Sequence, residues 1–193
     1  MKANPETALI LVDLQNDFCP GGAVPVPGGD EVIAPLNRLA VKVRQEGGMV
    51  VASRDWHPEN HCSFIDQGGE WPPHCVRDTP GAAFHEHLEP AHIELVVSKA
   101  DSAEKDAYSA FQDTGLADLM HRRDIREVWV GGLATDYCVK NTVLDALDSG
   151  FKVRVIRDAV RAVNRQPGDG EKALDAMRER GARVLPSAAF EEE

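Results

Sequence analysis

Positive charge is what this 193-residue chain has least of: 21 lysines and arginines face 32 aspartates and glutamates, giving a formal net charge of −11 with neutral histidines. The acidic excess is spread along the chain, not gathered in a tail, which argues against nucleic acid and anionic membrane as partners. Long apolar runs are also missing. The stretch Ala8 to Val12 is cut short by Asp13, and Met1-Lys2-Ala3-Asn4-Pro5 opens no hydrophobic segment. Neither a signal peptide nor a membrane span is expected, and the expected location is cytoplasmic. Cysteine is sparse. Cys19, Cys62, Cys75 and Cys138 form no CxxC pair and are too few for a disulfide-stapled scaffold, so they read as reduced thiols. No internal repeat divides the chain. Its length and 42% hydrophobic content fit a single domain over residues 1–193, and the composition leaves a homo-oligomer open.

What is present is an alternation. Strand-like apolar runs occur at Ala8 to Val12, Met49 to Ala52, Ile93 to Ser98, Val128 to Val130, Val153 to Ile156 and Ala182 to Leu185. Helical patterns occupy Asp30 to Gln45, Leu116 to Arg122, Asp136 to Asp148 and Gly170 to Arg180. Such alternation predicts an α/β fold, three layers α/β/α, with a mostly parallel, Rossmann-like sheet of six strands. In the fourth unit Val139, Val143 and Leu147 repeat at helical spacing, and Gly150 offers a C-terminal stop. The Pro/Gly-rich stretches Pro20 to Gly29 and Gly68 to Gly81 are too long to be mere connectors.

Ligands of open parallel sheets collect at the carboxyl ends of the strands. Asp13 ends the first run, Asp55 and His57 follow the second, Lys99 follows the third, and Cys138 lies just past the fourth. The segment from Gly131 to Val139 reads as a strand running into a small-residue turn and then a helix. A thiol at such a helix start feels the positive end of the dipole, which lowers its pKa. Alternatively, Cys138 is a small buried hydrophobe. Asp13 and Lys99 favour the reactive reading, because a carboxylate can accept the thiol proton while an ammonium stabilises both anions.

The second constellation is Asp55-Trp56-His57-Pro58-Glu59-Asn60-His61 with Trp71-Pro72-Pro73-His74-Cys75. A DxH pair sets two ligating groups on one side of an extended segment, and a histidine from another loop can close a chelate around zinc, iron or manganese. Surface histidines in a polar loop are the plain alternative. A structural Cys/His zinc site through Cys62 and Cys75 is another, but its spacing matches no common finger.

Together, Ile10-Leu11-Val12-Asp13-Leu14-Gln15-Asn16-Asp17-Phe18-Cys19 with Pro20-Gly21-Gly22, Asp55-Trp56-His57, the Trp71 to Cys75 segment, Lys99 and Gly132 to Val139 resemble the isochorismatase-like cysteine hydrolase superfamily. The DxH and WPPHC segments resemble its metal-dependent nicotinamidase branch. This resemblance implies a catalytic triad of Asp13, Lys99 and Cys138. It also implies metal ligands Asp55, His57 and His74, with His61 as the fourth, and zinc as the first choice of ion before iron or manganese. A cis peptide before Ala134 would turn the N–H groups of Ala134 and Cys138 into an oxyanion hole, and Phe18, Trp71 and Tyr108 would wall a pyridine ring. The implied reaction is hydrolysis of nicotinamide to nicotinate and ammonia, with pyrazinamide also accepted. One departure stands at Ala100, where the family often has glycine. Two other readings stay open: an amidohydrolase of the same superfamily for a carbamoyl or ureido substrate, and a non-catalytic metal-binding or redox-sensing module.

Overall fold

A computed structural model describes residues 1–191. Six strands, β1 Thr7–Val12, β2 Met49–Asp55, β3 Leu95–Lys99, β4 Glu127–Leu133, β5 Lys152–Arg161 and β6 Arg183–Leu185, form a sheet in the order β3-β2-β1-β4-β5-β6. Every neighbouring pair is parallel. The helices are α1 Ile33–Gln45, α2 Leu116–Arg122, α3 Lys140–Asp148, α4 Asp169–Glu179 and α5 Ala188–Glu191.

β1 is buried along its whole length and serves both faces of the sheet, as a central parallel strand must. Leu9 and Leu11 pack with Leu36, Leu39 and Val43 of α1, whereas Ala8, Ile10 and Val12 pack with Met120 of α2, Val143 of α3 and Met177 of α4. Each fully buried Leu or Ile contributes about 1.5–3 kcal/mol relative to exposure. Strand order reverses between β1 and β4, so their connections depart to opposite faces and leave a crevice at the carboxyl edge. No helix among the described residues is long and apolar enough to cross a membrane.

The structure departs from the apolar pattern in three places. Residues Pro90–His92 form a 3-10 turn, so β3 starts at Leu95 and ends on Lys99 itself. β5 continues past Ile156 to Arg161, because the polar Arg157 and Asp158 face outward to Glu171 and Ser187 while Ala159 and Val160 stay buried. Gly131 and Gly132, expected in a turn, are strand residues of β4. They are glycines because neighbours press on them: a Cβ on Gly131 would lie 2.6 Å from Leu36, and one on Gly132, where φ is 126°, would lie 2.2 Å from the Val12 carbonyl oxygen.

That contact gives a test. Gly132→Ala should lower unfolding stability in urea by more than about 3 kcal/mol, since left-handed strain adds to a clash with the next strand's backbone. Gly150→Ala, at φ 87° with open space around it, should cost only about 1–2 kcal/mol. Equal losses at the two positions would show that the β1–β4 approach is not what demands Gly132.

Candidate active site

The crevice is built from strand ends. Asp13 follows β1, Asp55 closes β2, Lys99 closes β3, and Cys138 lies in a π-helical turn, Thr135–Val139, between β4 and α3. Lys99 is fully buried, with its ammonium contacting the carboxylates of Asp13 at 2.9 Å and of Asp55, and the Cys138 Sγ at 3.4 Å. Ser53 Oγ donates to Asp13 Oδ1 at 2.7 Å. Asp13 Oδ2 pairs with Lys99 by charge but has no directed hydrogen bond, which leaves that oxygen open to a proton. One carboxylate oxygen of Asp13, one of Asp55 and the Cys138 sulfur all lie within 4.8 Å of one another.

The two carboxylates are pushed apart in acidity. Burial raises Asp13 above the usual carboxylate range, and the Lys99 charge does not cancel it. Asp55 is buried as deeply, yet Lys99 and then His57 outweigh desolvation and hold it well below that range. One carboxylate is thus suited to exchanging a proton and the other to staying anionic. The thiol differs from its sequence-based expectation. Burial pushes the Cys138 pKa well above its ordinary value, and Lys99 only partly opposes this. The sulfur rests as a neutral thiol, because a desolvated anion costs more than the dipole of one irregular turn returns.

Beside this cluster, Asp55, His57 and His74 each present a ligand atom within 4.8 Å of the others. His57 Nδ1 donates to the Ala100 carbonyl at 3.0 Å, and His74 Nδ1 donates to the Pro72 carbonyl at 2.8 Å. A carbonyl only accepts, so both rings carry a proton on Nδ1, which leaves Nε2 as the ligand atom each can offer. The His57 Nε2 has no hydrogen-bond partner and faces Asp55 Oδ2 at 3.5 Å. A buried, unpartnered imidazole nitrogen beside a carboxylate fits a divalent cation. His61 stands apart from this group. Its ring stacks on His57 at 4.1 Å, Nε2 donates to the Lys105 carbonyl at 3.0 Å, and Nδ1 meets Ser63 Oγ at 2.7 Å. Both of its nitrogens are engaged elsewhere.

The site opens into a pocket walled by Phe18, Trp71, Tyr108 and Tyr137, with Ala134 and Cys138 at its floor. The Leu133–Ala134 peptide is cis, and Ala134 leads directly into the turn that carries Cys138. Trp71 Nε1 donates to the Tyr108 hydroxyl at 3.2 Å, and Tyr137 meets the Trp71 ring edge-on at 5.2 Å.

The family described as Isochorismatase domain matches residues 7–189. This chain belongs to the isochorismatase family. The nicotinamidase of Escherichia coli strain K12 is 45% identical over 209 residues, covering 97% of this chain and 98% of that protein. The pyrazinamidase of Pyrococcus horikoshii, solved in complex with zinc, is 48% identical with a TM-score of 0.89, covering 94% of this chain and 99% of that one. PnC1 of L. infantum in complex with nicotinate is 36% identical with a TM-score of 0.91, over 98% of both chains.

Within this isochorismatase-family site, several supporting residues carried no chemistry in the sequence. Gln15 clamps the Asp55 main chain, accepting from its N–H at 2.8 Å and donating to its carbonyl at 2.7 Å. Asp17 accepts the Cys75 N–H at 2.7 Å and the Ala23 N–H at 3.1 Å, tying two loops beside His74. The Asp-Leu-Gln-Asn-Asp segment after β1 was the available signal, since buried polar side chains so close together must satisfy one another or the backbone. Ala100 has φ 50°, a left-handed conformation that glycine adopts without the strain a Cβ brings.

The donor geometry sets an expectation for the metal. His57→Ala and His74→Ala should each drop divalent-metal stoichiometry well below one per chain by elemental analysis. His61→Ala should retain it, with affinity weakened by less than about 100-fold. Loss of the ion in His61→Ala would make that ring a ligand after all.

Proposed function

We propose that this protein is a metal-dependent cysteine amidohydrolase that converts nicotinamide to nicotinate and ammonia and also accepts pyrazinamide. The observation that carries this reading is the placing of a thiol, paired with an open carboxylate oxygen and a buried ammonium, against a three-ligand metal set inside an aromatic pocket. Likeness to proteins named nicotinamidase and pyrazinamidase supports the substrate class, and the zinc of the Pyrococcus horikoshii structure supports zinc as the ion.

In this mechanism Asp13 Oδ2 takes the Cys138 proton as the sulfur attacks the carboxamide carbon. Lys99, between Asp13, Asp55 and the sulfur, stabilises the negative charge while it moves. The N–H groups of Ala134 and Cys138 receive the oxyanion, an interaction where loss of one donor costs about 10²–10³-fold in rate. Protonated Asp13 returns its proton to the departing nitrogen, and ammonia leaves behind a thioester on Cys138. Asp13 then takes a proton from water as it attacks the thioester and passes that proton to the departing sulfur, restoring the thiol; the acid product loses its remaining proton to solvent and departs as carboxylate. Asp55, His57 and His74 would hold the zinc, which when bound would supply Lewis-acid chemistry for orienting the substrate. Phe18, Trp71 and Tyr108 enclose the ring and exclude water.

Ammonia release from nicotinamide, pyrazinamide and a carbamoyl amide should be measured on zinc-loaded enzyme. Cys138→Ala should lose release entirely while keeping its metal, and Asp13→Asn should fall by about 10²–10⁴-fold. Preferred turnover of the carbamoyl amide would move the reading to another amidohydrolase. A metal-loaded chain that releases ammonia from none of the three would be a binding module.

A further inference from the structure

Arg165 lies on the loop between β5 and α4 and takes no part in the chemistry above. Its guanidinium carbon sits 4.1 Å from the centre of the Trp71 ring, Nη1 pairs with Glu70 Oε2 at 3.1 Å, and Nη2 donates to the Glu70 carbonyl at 3.4 Å. Arg165 therefore grips two consecutive residues of a separate loop, one of which walls the pocket.

This arginine is held more firmly than its surface position suggests. The Asp136 carboxylate accepts the N–H groups of Val163 and Asn164 at 2.9 and 2.8 Å. Asn164 Oδ1 in turn accepts the Gly170 N–H at 2.8 Å, and Asp169 Oδ2 accepts the Gln166 N–H at 2.8 Å. The backbone is thus tethered on both sides of Arg165. The close approach that this needs is visible at Gly170, where a Cβ would lie 2.6 Å from the Ala162 side chain. Asp136 is also a member of the turn that carries Cys138, so the loop hangs from the nucleophile's own support. Meanwhile Trp71 is met by Tyr108 through its indole N–H and by Tyr137 at its edge.

We propose that Arg165 is a positioning residue for substrate binding: its guanidinium braces Trp71 and so fixes the aromatic wall that receives the substrate ring. The proposal rests on the amidase reading above. Because Arg165 touches Trp71 and not the reacting atoms, its loss should change how substrate is held and leave the chemical step alone. A cation over an indole at a half-exposed site corresponds to about a 2- to 5-fold change in binding.

The test is steady-state ammonia release together with acrylamide quenching of the Trp71 emission, isolated by subtracting the spectrum of a Trp71→Phe variant. Arg165→Ala should raise KM for nicotinamide about 2- to 5-fold, with kcat within about 2-fold of wild type, and should make Trp71 more quenchable. Arg165→Lys should recover part of both changes. In a Trp71→Leu background, Arg165→Ala should add no further rise in KM, because the two act as one unit. An unchanged KM in Arg165→Ala, or an undiminished effect in the Trp71→Leu background, overturns the proposal. Wild-type enzyme that releases no ammonia from nicotinamide fails the amidase reading instead, and unchanged Trp71 quenching would then overturn the brace without any substrate.

Discussion

A lysine ammonium buried at the carboxyl edge of a parallel sheet must keep its counter-ions, and much of this site follows from that need. Removing one partner of a buried ion pair costs about 3–5 kcal/mol, chiefly because a charge is left uncompensated. Here the partners are dictated by sheet register. Asp55 lies opposite Lys99 in the β2–β3 pairing, and Val12, just before Asp13, lies opposite Ser53. A slip of one residue would turn each side chain to the other face of the sheet. The register that buries Leu9 and Leu11 on one side and Ile10 and Val12 on the other therefore also assembles the ammonium with its carboxylates.

Asp55 links the two halves of the crevice. One oxygen contacts Lys99, and the other faces the bare nitrogen of His57. The charge that keeps Asp55 ionised is the same charge that stands beside the thiol. Asp13 lacks a histidine neighbour, and desolvation prevails there. Two aspartates at adjacent strand ends thus acquire different chemistry from their surroundings alone. His57 shows the same competition in reverse: burial lowers its proton affinity, but Asp55 more than offsets this and raises it. A cation and a proton would compete for one nitrogen, so metal affinity should fall as the solution is acidified.

The sequence made the strand-end chemistry legible because apolar runs announce strands, and whatever polar residue follows such a run lies at the sheet edge. Asp13, Asp55, Lys99 and Cys138 were placed by that rule, and the structure brings them together. What escaped depends on contacts that no local pattern encodes. His61 has the same side chain as His57 and His74, and only the Lys105 carbonyl and Ser63 reveal that its nitrogens are engaged. Gly131 and Gly132 carry the composition of a turn, yet both are residues of β4, and they are glycine because a Cβ would meet Leu36 and the Val12 backbone. The raised pKa of Cys138 is not legible in the sequence, because a helix dipole is visible there and desolvation is not. Arg165 lies 95 residues from the glutamate it grips, beyond any spacing argument.

Floor and walls of the pocket answer to different constraints. Cys138 at the floor, with Asp13 and Lys99 buried behind it, is nearly inaccessible and linked to them through buried charge, so a change in one of the three perturbs the others and independent variation is costly. The walls come mostly from separate loops: Phe18 after β1, Trp71 between β2 and β3, Tyr108 between β3 and α2, and Val163 on the Arg165 loop, with Tyr137 alone contributed by the turn of Cys138. Those side chains meet through ring edges, one hydroxyl and one guanidinium, contacts worth little individually and adjustable without unpairing a buried charge. Substitutions in the loops should therefore change which ring is accepted, while the reaction at Cys138 stays under the control of the strand ends.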